Sequence, residues 1–79
     1  MPARLLFLGR LEDLAGGPVI EVTPGPLETV LAALDQALAV ALLEERIRIA
    51  LNGTLVAERG GIVLASGDEL AFLPPVSGG

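Results

Sequence analysis

The stretch SGDELAFLPPVSGG, residues 66–79, decides the fold. A turn-forming Ser-Gly-Asp leads into Glu69–Leu73, an apolar run of the length and composition that is typical of a β-strand. Pro74 and Pro75 follow, and they lack an N–H donor and hold φ near about −65°, so strand pairing ends there and the chain leaves in an extended form. The sequence therefore predicts a last strand that continues into a stiff, projecting segment.

The final residues, Gly78 and Gly79, carry a terminal carboxylate without a Cβ on either residue. Such an end can pass through a channel too narrow for a side chain and can adopt backbone angles closed to other residues. A stiff Pro-Pro segment, a C-terminus without side chains and a free carboxylate together predict that the carboxylate of Gly79 is the functional group. We therefore divide the chain into a domain, residues 1–73, and an extended C-terminal tail, residues 74–79.

Two strands and one main helix are predicted in the first half of the chain. Apolar runs at residues 3–8 and 18–22 indicate strands, and residues 10–15 indicate a short helical turn between them. A loop at residues 23–26 leads into the helix. The helix carries an apolar stripe expected to pack against a sheet, made of Leu27, Val30, Leu31, Leu34 and Leu38.

Three further strands are predicted in the second half. Residues 39–45 are ambiguous, and we expect a second short helical turn there. Residues 46–51 alternate between polar and apolar side chains, which indicates a strand with one buried face. Asn52-Gly53 supplies the positive-φ pair of a tight hairpin, and residues 54–56 form the returning strand. A loop and a short apolar link, residues 58–64, precede the final turn and strand.

This order of elements predicts an α+β fold of the β-grasp type. The fold class is a mixed sheet with one main helix packed on one face, and the first and last strands pair in parallel at the middle of the sheet. Both sides of the last strand are apolar, although a single helical layer covers only one face of a sheet. We therefore expect the second face to be covered by a partner protein.

Composition excludes several classes of function. The chain has 79 residues, a net charge of −5, 52% hydrophobic residues, and neither Cys, His nor Lys. Disulfides, metal sites and cysteine or histidine catalysis are therefore not expected. An acidic chain with two aromatic residues is a poor partner for nucleic acid. No apolar stretch is long enough to cross a bilayer, so we expect a cytoplasmic protein that does not bind a membrane.

Residues 66–79 resemble the C-terminal signature of the small subunit of molybdopterin synthase, the MoaD-type, ubiquitin-like sulfur carriers. That family runs from a turn with Gly-Asp-Glu through an apolar strand to Pro-Pro, small residues and Gly-Gly. LLFLGRL at residues 5–11 and ALNG at residues 50–53 are also similar. The family commonly has a basic residue before its acid where Glu12 and Asp13 stand here, and often Asp where Ser66 stands.

The resemblance implies a function for the tail. The carboxylate of Gly79 would be adenylated by an ATP-dependent activating enzyme and converted to a thiocarboxylate. A larger catalytic subunit of a heterotetrameric molybdopterin synthase would receive the tail. The sulfur would then pass to cyclic pyranopterin monophosphate to build the dithiolene of molybdopterin. The chain itself would be a carrier without catalytic activity and without a bound cofactor, since ATP is used by the activating partner.

We also predict a set of residues that bind the partners. These residues form the tail, the root of the tail and its anchor in the domain. They are Phe7, Phe72, Leu73, Pro74, Pro75, Val76, Ser77 and Gly78, with Gly79 as the reactive residue.

Three other functions remain open at this point. A sulfur carrier of the thiamine-pathway type also ends in Gly-Gly, but such carriers are usually shorter and lack the Pro-Pro pair. A ubiquitin-like protein modifier would join Gly79 to lysines of target proteins. An interaction domain with an inert tail is the third. Incubation with an activating enzyme and ATP separates the classes, because the end products are a thiocarboxylate, an isopeptide or an unchanged chain.

Overall fold

The computed structural model of the chain describes residues 1–75. Its main feature is a five-stranded mixed sheet with the order β2-β1-β7-β4-β5. The strands of this sheet are β1 (Ala3–Phe7), β2 (Val19–Val22), β4 (Arg48–Leu51), β5 (Thr54–Val56) and β7 (Glu69–Leu73). A separate pair of two-residue strands, β3 (Gly25–Pro26) and β6 (Val63–Leu64), lies outside it.

The centre of the sheet is the parallel pair of β1 and β7. Leu5 lies opposite Leu70 and Phe7 lies opposite Phe72, while β2, β4 and β5 extend the sheet by antiparallel pairing on either side. The predicted parallel pairing of the first and last strands is therefore confirmed. With helices on one face, this arrangement is the predicted β-grasp fold.

Three short helices cover the inner face of the sheet: α1 (Arg10–Ala15), α2 (Leu27–Ala32) and α3 (Gln36–Leu42). The alternation of β1, β7 and β4 directs every second side chain toward these helices, where the side chains are excluded from water. The largest side chains that are fully buried in this layer are Leu5, Leu42, Ile49, Leu64, Leu70 and Phe72. The predicted helical stripe also lies in or against this core.

The helical segment differs from the prediction, because it is broken in two. The break lies at Ala33–Asp35, where the Asp35 carboxylate accepts hydrogen bonds from the N–H groups of Ala37 (3.1 Å) and Leu38 (3.4 Å). A short acidic side chain satisfies free N–H groups at a helix start better than it fits a helix interior. The residues 36–42 that continue as α3 also replace the second helical turn expected within residues 39–45.

Smaller differences concern the ends of elements. The strand predicted at residues 46–51 begins at Arg48, and those predicted at 3–8 and 18–22 are each one residue shorter. The loop at residues 23–26 and the apolar link at 62–64 contain the paired strands β3 and β6. These two-residue strands depend on each other for hydrogen bonds, so neither is visible in its own local sequence.

A hydrogen-bonded network connects the two turns beside β4 and β7. The Asn52 Nδ2 donates to Oδ1 of Asp68 (3.0 Å), and the Glu69 N–H donates to Oδ1 of Asn52 (2.9 Å). The Ala65 N–H donates to Oδ2 of Asp68 (2.8 Å) and closes the turn before β7. Asn52 has a positive φ of 50° in the predicted hairpin turn. The network therefore fixes the entry of the central strand β7 against the hairpin.

The Asp68 carboxylate gives this network a dependence on pH. The hydrogen bond from the Ala65 N–H, with that from Asn52, holds the pKa of Asp68 below its ordinary value of 3.8. A carboxyl whose pKa is lower in the folded state stabilises the fold above its unfolded pKa. That stabilisation is lost as the pH falls through the lower, folded pKa.

We therefore expect Asp68→Asn to reduce the free energy of unfolding at neutral pH and to have progressively less effect below about pH 4. Urea unfolding of both proteins at a series of pH values measures the difference, with Glu58→Gln, which removes an exposed loop carboxyl, as the control. A difference between wild type and Asp68→Asn that stays constant down to about pH 2 contradicts the assignment.

Candidate functional site

The root of the tail, residues 73–75, lies at the end of β7. Pro74 and Pro75 follow β7 directly. The Leu8 N–H donates to the carbonyl of Phe72 (3.3 Å), so hydrogen bonding between the first and last strands continues one residue beyond the end of β1. Pro74 lies against Gly9: a Cβ added to Gly9 would be 3.1 Å from Cγ of Pro74. The tail therefore leaves the domain over a glycine that admits the proline ring.

Gly9 is a residue beside the tail root that the sequence analysis did not single out. Its backbone has φ 57° and ψ −137°, a combination open to glycine and strained for residues with a side chain. The contact with Pro74 depends on the parallel placement of β1 and β7, so no local pattern around Gly9 signals it.

Two predicted partner-binding residues lie beneath the surface. The rings of Phe7 and Phe72 are stacked with centroids 5.6 Å apart, and both side chains are buried in the core. In this structure they are not available for direct contact with a partner, in contrast to the expectation from the sequence. The reason is the strand alternation, which turns Phe72 and Leu70 inward and leaves Ala71 and Leu73 on the outer face. Phe7 and Phe72 instead support the tail root from within.

The outer face of the sheet carries an apolar row that crosses all five strands. In the observed register each member lies opposite the next, so the side chains share one face. The row consists of Val19, Leu6, Ala71, Ala50 and Leu55. Val19 and Leu55, at the two edges, are 45% and 68% exposed. We call this surface the apolar row, and Leu73 extends it toward the tail.

Charged side chains border the apolar row at both ends of the strands. At the end far from the tail, Arg4 lies between Glu21 and Glu69 and pairs with Glu69 at 3.4 Å. At the tail end, Arg48 lies opposite Leu73. Beside it is a surface recess of about 480 Å³ lined by Glu45, Arg46, Arg48, Pro74 and Pro75.

The part of the chain that the structure describes contains no buried polar or charged side chain. Within that same part, no group of three acidic side chains is close enough together to hold a metal ion. None of the three helices of residues 1–75 has the length and apolar character needed to span a membrane. The predicted site residues Val76, Ser77, Gly78 and Gly79 lie outside the described residues.

These features define a class of protein: a ubiquitin-like domain with an apolar outer face beside a projecting tail root. A family model described as the ThiS family matches residues 5–79, and the chain belongs to that family. The resemblance to small sulfur carriers is therefore confirmed at the level of the family.

Two curated relatives carry the same name. The chain is 36% identical over 81 residues to the molybdopterin synthase sulfur carrier subunit of Escherichia coli K12, which covers 96% of this chain and 98% of the relative. It is 31% identical over 80 residues to the subunit of that name from Haemophilus influenzae, with 95% and 96% of the two chains covered.

A solved structure is also similar. The crystal structure of SAMP1, a small archaeal modifier protein from Haloferax volcanii, superposes with a TM-score of 0.78. The two sequences are 27% identical, and the match covers 100% of both chains. The β-grasp fold is therefore shared with a protein whose name describes a modifier.

The contact between Gly9 and Pro74 can be tested by a double-mutant cycle. We expect Gly9→Ala to reduce the free energy of unfolding by roughly 1–3 kcal/mol, because of the strained backbone and the crowded proline ring. Replacing Pro74 by Ala removes the crowding atoms, so Gly9→Ala should cost less in a Pro74→Ala background. Urea unfolding of the four proteins measures both effects. Strictly additive effects would show that Gly9 does not help to place the tail root.

Proposed function

We propose that this chain is the sulfur carrier subunit of a molybdopterin synthase. Gly79 is adenylated by an ATP-dependent activating enzyme, converted to a thiocarboxylate, and donates its sulfur to cyclic pyranopterin monophosphate. The observation that carries the proposal is the placement of the tail root, because the central strand β7 runs directly into Pro74-Pro75 beside a partly exposed apolar row. The names of the two bacterial relatives support the molybdopterin pathway over the thiamine-pathway alternative.

The proposed chemistry needs an activated carboxyl group. A carboxylate resists attack by a nucleophile because its carbonyl carbon is flanked by negative charge. Attack of the carboxylate on the α-phosphate of ATP releases pyrophosphate and forms an acyl-adenylate, from which a sulfur nucleophile displaces AMP. The chain has no Lys, His or Cys that could act as a base or nucleophile at that carbon. In this proposal the partner proteins supply the catalysis.

The length of the tail fits delivery into a partner's active site. Residues 74–79 span at most about 20 Å when fully extended. Both prolines favour that extended form at the root, so this part of the tail loses little conformational freedom when the tail enters a channel. Tethering the sulfur to such a tail replaces diffusing sulfide with a reactant that arrives in a fixed geometry.

The apolar row is the proposed docking surface for the large catalytic subunit. An outer face that contains Leu6, Ala71, Leu55 and the tail-root residue Leu73 is more apolar than the exposed face of a sheet usually is. Because the row and the tail root are continuous, a partner that receives the tail also covers the row. The burial of this apolar surface would supply the driving force for association.

The similarity to the Haloferax volcanii modifier favours a second candidate function. A modifier uses the same fold and an activated carboxyl terminus but transfers the acyl group to a lysine of another protein. The two functions differ in the bond that forms at Gly79: a thiocarboxylate in the carrier and an isopeptide in the modifier.

Intact mass spectrometry after co-expression with the activating enzyme tests the proposal. We expect the mass to increase by the difference between one sulfur and one oxygen atom. We also expect a chain lacking Gly79 to keep its fold by circular dichroism and to lose molybdopterin production when it is combined with the large subunit. Covalent attachment to lysines of other proteins would favour the modifier. Normal molybdopterin production by the shortened chain would refute the carrier function.

A charge placed at the tail root tests the docking surface. We expect Leu73→Glu to weaken binding to the large subunit by an amount on the order of 2 kcal/mol or more, because a carboxylate would be desolvated in the interface. Titration calorimetry measures the affinity, and thermal unfolding of the free chain checks the fold. Val63→Glu, at a 62% exposed apolar residue outside the main sheet, is the matched control. Equal affinities of the two variants would place Leu73 outside the interface.

A further inference from the structure

Arg48 is an exposed cation at the tail root. It lies on β4 opposite Leu73, the last residue of β7, and it lines the recess that Pro74 and Pro75 also line. Within residues 1–75, its guanidinium has no ion-pair or hydrogen-bond partner. The neighbouring Glu45 lines the same recess without forming an ion pair with it.

Three of the five arginines have partners inside the domain. Arg4 pairs with Glu69 at 3.4 Å, and Arg46 pairs with Glu44 at 2.9 Å. Arg59 donates to the backbone carbonyls of Leu42, Glu44 and Ile47, which end α3 and lead to β4. Arg10 is part of α1 and borders a different recess, between α1 and α3. Among the described residues, Arg48 is therefore the arginine of the outer face whose charge is not compensated.

We propose that Arg48 forms an ion pair with an Asp or Glu side chain of the catalytic subunit, at the mouth of the channel that receives the tail. The inference rests on the proposed function, because it takes the partner and its channel from there. It adds a specific electrostatic contact to a docking surface that is otherwise apolar. Its role is to fix the orientation of the carrier on the partner.

The proposed insertion of the tail into a channel would separate Arg48 from the reaction itself. A tail held in extended form by that channel would carry Gly79 as much as about 20 Å beyond Leu73, the residue opposite Arg48. An arginine side chain covers only a small part of that distance. In such a complex the guanidinium would not reach a phosphate or a substrate anion at the carboxyl carbon of Gly79. The groups within its reach in the complex are those of the protein wall around the channel entrance.

Desolvation of Arg48 on binding is the reason to expect a carboxylate in the partner beside the channel entrance. A partner that covers the apolar row and the tail root also removes water from residues between them, and a guanidinium without a counter-charge is strongly unfavourable there. Arg46 is already paired with Glu44, so the recess offers one paired cation and one unpaired cation. Arginine is suited to such a site because its planar group can bind both oxygens of a carboxylate.

The charge pattern of the outer face makes the contact directional. The charged group at the far end, Arg4 with Glu21 and Glu69, has a net charge of −1, whereas Arg48 at the tail end is positive. A partner with a carboxylate beside its channel attracts the correct end of the face and repels the other. The apolar row alone could not distinguish the tail end of the face from the far end.

Binding titrations with the large subunit test the proposal, using the full chain and four variants. We expect Arg48→Ala to weaken binding about tenfold, Arg48→Glu about a hundredfold, and Arg48→Lys less than Arg48→Ala, since lysine keeps the charge. Arg10→Glu changes the net charge as much as Arg48→Glu does but lies on α1, and we expect it to change the affinity less than about threefold. Added salt should weaken wild-type binding more than that of Arg48→Ala.

The partner residue is identified by reversing the charge of each Asp and Glu around the channel mouth of the large subunit. One such variant should restore binding of Arg48→Glu. Equal binding of Arg48→Glu and Arg10→Glu, or a loss that no partner variant restores, overturns the proposal. In a parallel titration with the activating enzyme, a loss of affinity of Arg48→Glu for that enzyme alone overturns the assignment of the ion pair to the catalytic subunit.

Failure of this inference and failure of the proposed function are distinguishable. A wild-type chain that forms a thiocarboxylate and supports molybdopterin production, while Arg48→Glu binds as tightly as wild type, refutes only the ion pair. A wild-type chain that carries no sulfur refutes the proposed function. Thermal unfolding of the free variants should be unchanged, because Arg48 is exposed on the sheet surface.

Discussion

The parallel pairing of β1 and β7 is the constraint on which the rest of the structure depends. Parallel strands are normally covered on both faces, because their side chains are apolar on both sides. Here the inner face of the pair is covered by the helices, and the stacked rings of Phe7 and Phe72 lie within that layer. The outer face, with Leu6, Ala71 and Leu73, is left only partly covered. The open apolar row is thus a direct result of placing a parallel pair at the centre of a small domain.

Much of the fold could be predicted from the sequence, because the determining patterns are local. Alternating side chains in residues 46–51, the Asn-Gly turn and the proline stop at Pro74 each specify a structure within a few residues. The break at Asp35 was missed because the same acidic residue fits the exposed face of one long helix or the N-cap of a second helix. Only the packing of α2 and α3 on the sheet decides between them.

The candidate site was less predictable, because its parts meet only through the sheet register. Gly9 and Pro74 lie close together although they are near opposite ends of the chain, and Arg48 lies opposite Leu73 through the pairing of β4 with β7. Phe72 was expected among the residues that bind the partners, but its side chain is buried in the core. The alternation that places it inside is regular, but the inner side could be chosen only once the helices had been placed.

The central position of β7 also has a consequence for biosynthesis. Among the described elements β7 is the last to be made by the ribosome, yet its neighbours on both sides, β1 and β4, are made earlier. The strands β1 and β4 cannot join one sheet until β7 has been made, and the pairing of β1 with β7 closes a loop of most of the described chain, a kind of contact that slows folding in general. Pro74 and Pro75 emerge directly after the strand that completes the sheet. The tail root can therefore take its place only on a domain whose central sheet is complete, so an exposed tail root in this position marks a finished fold.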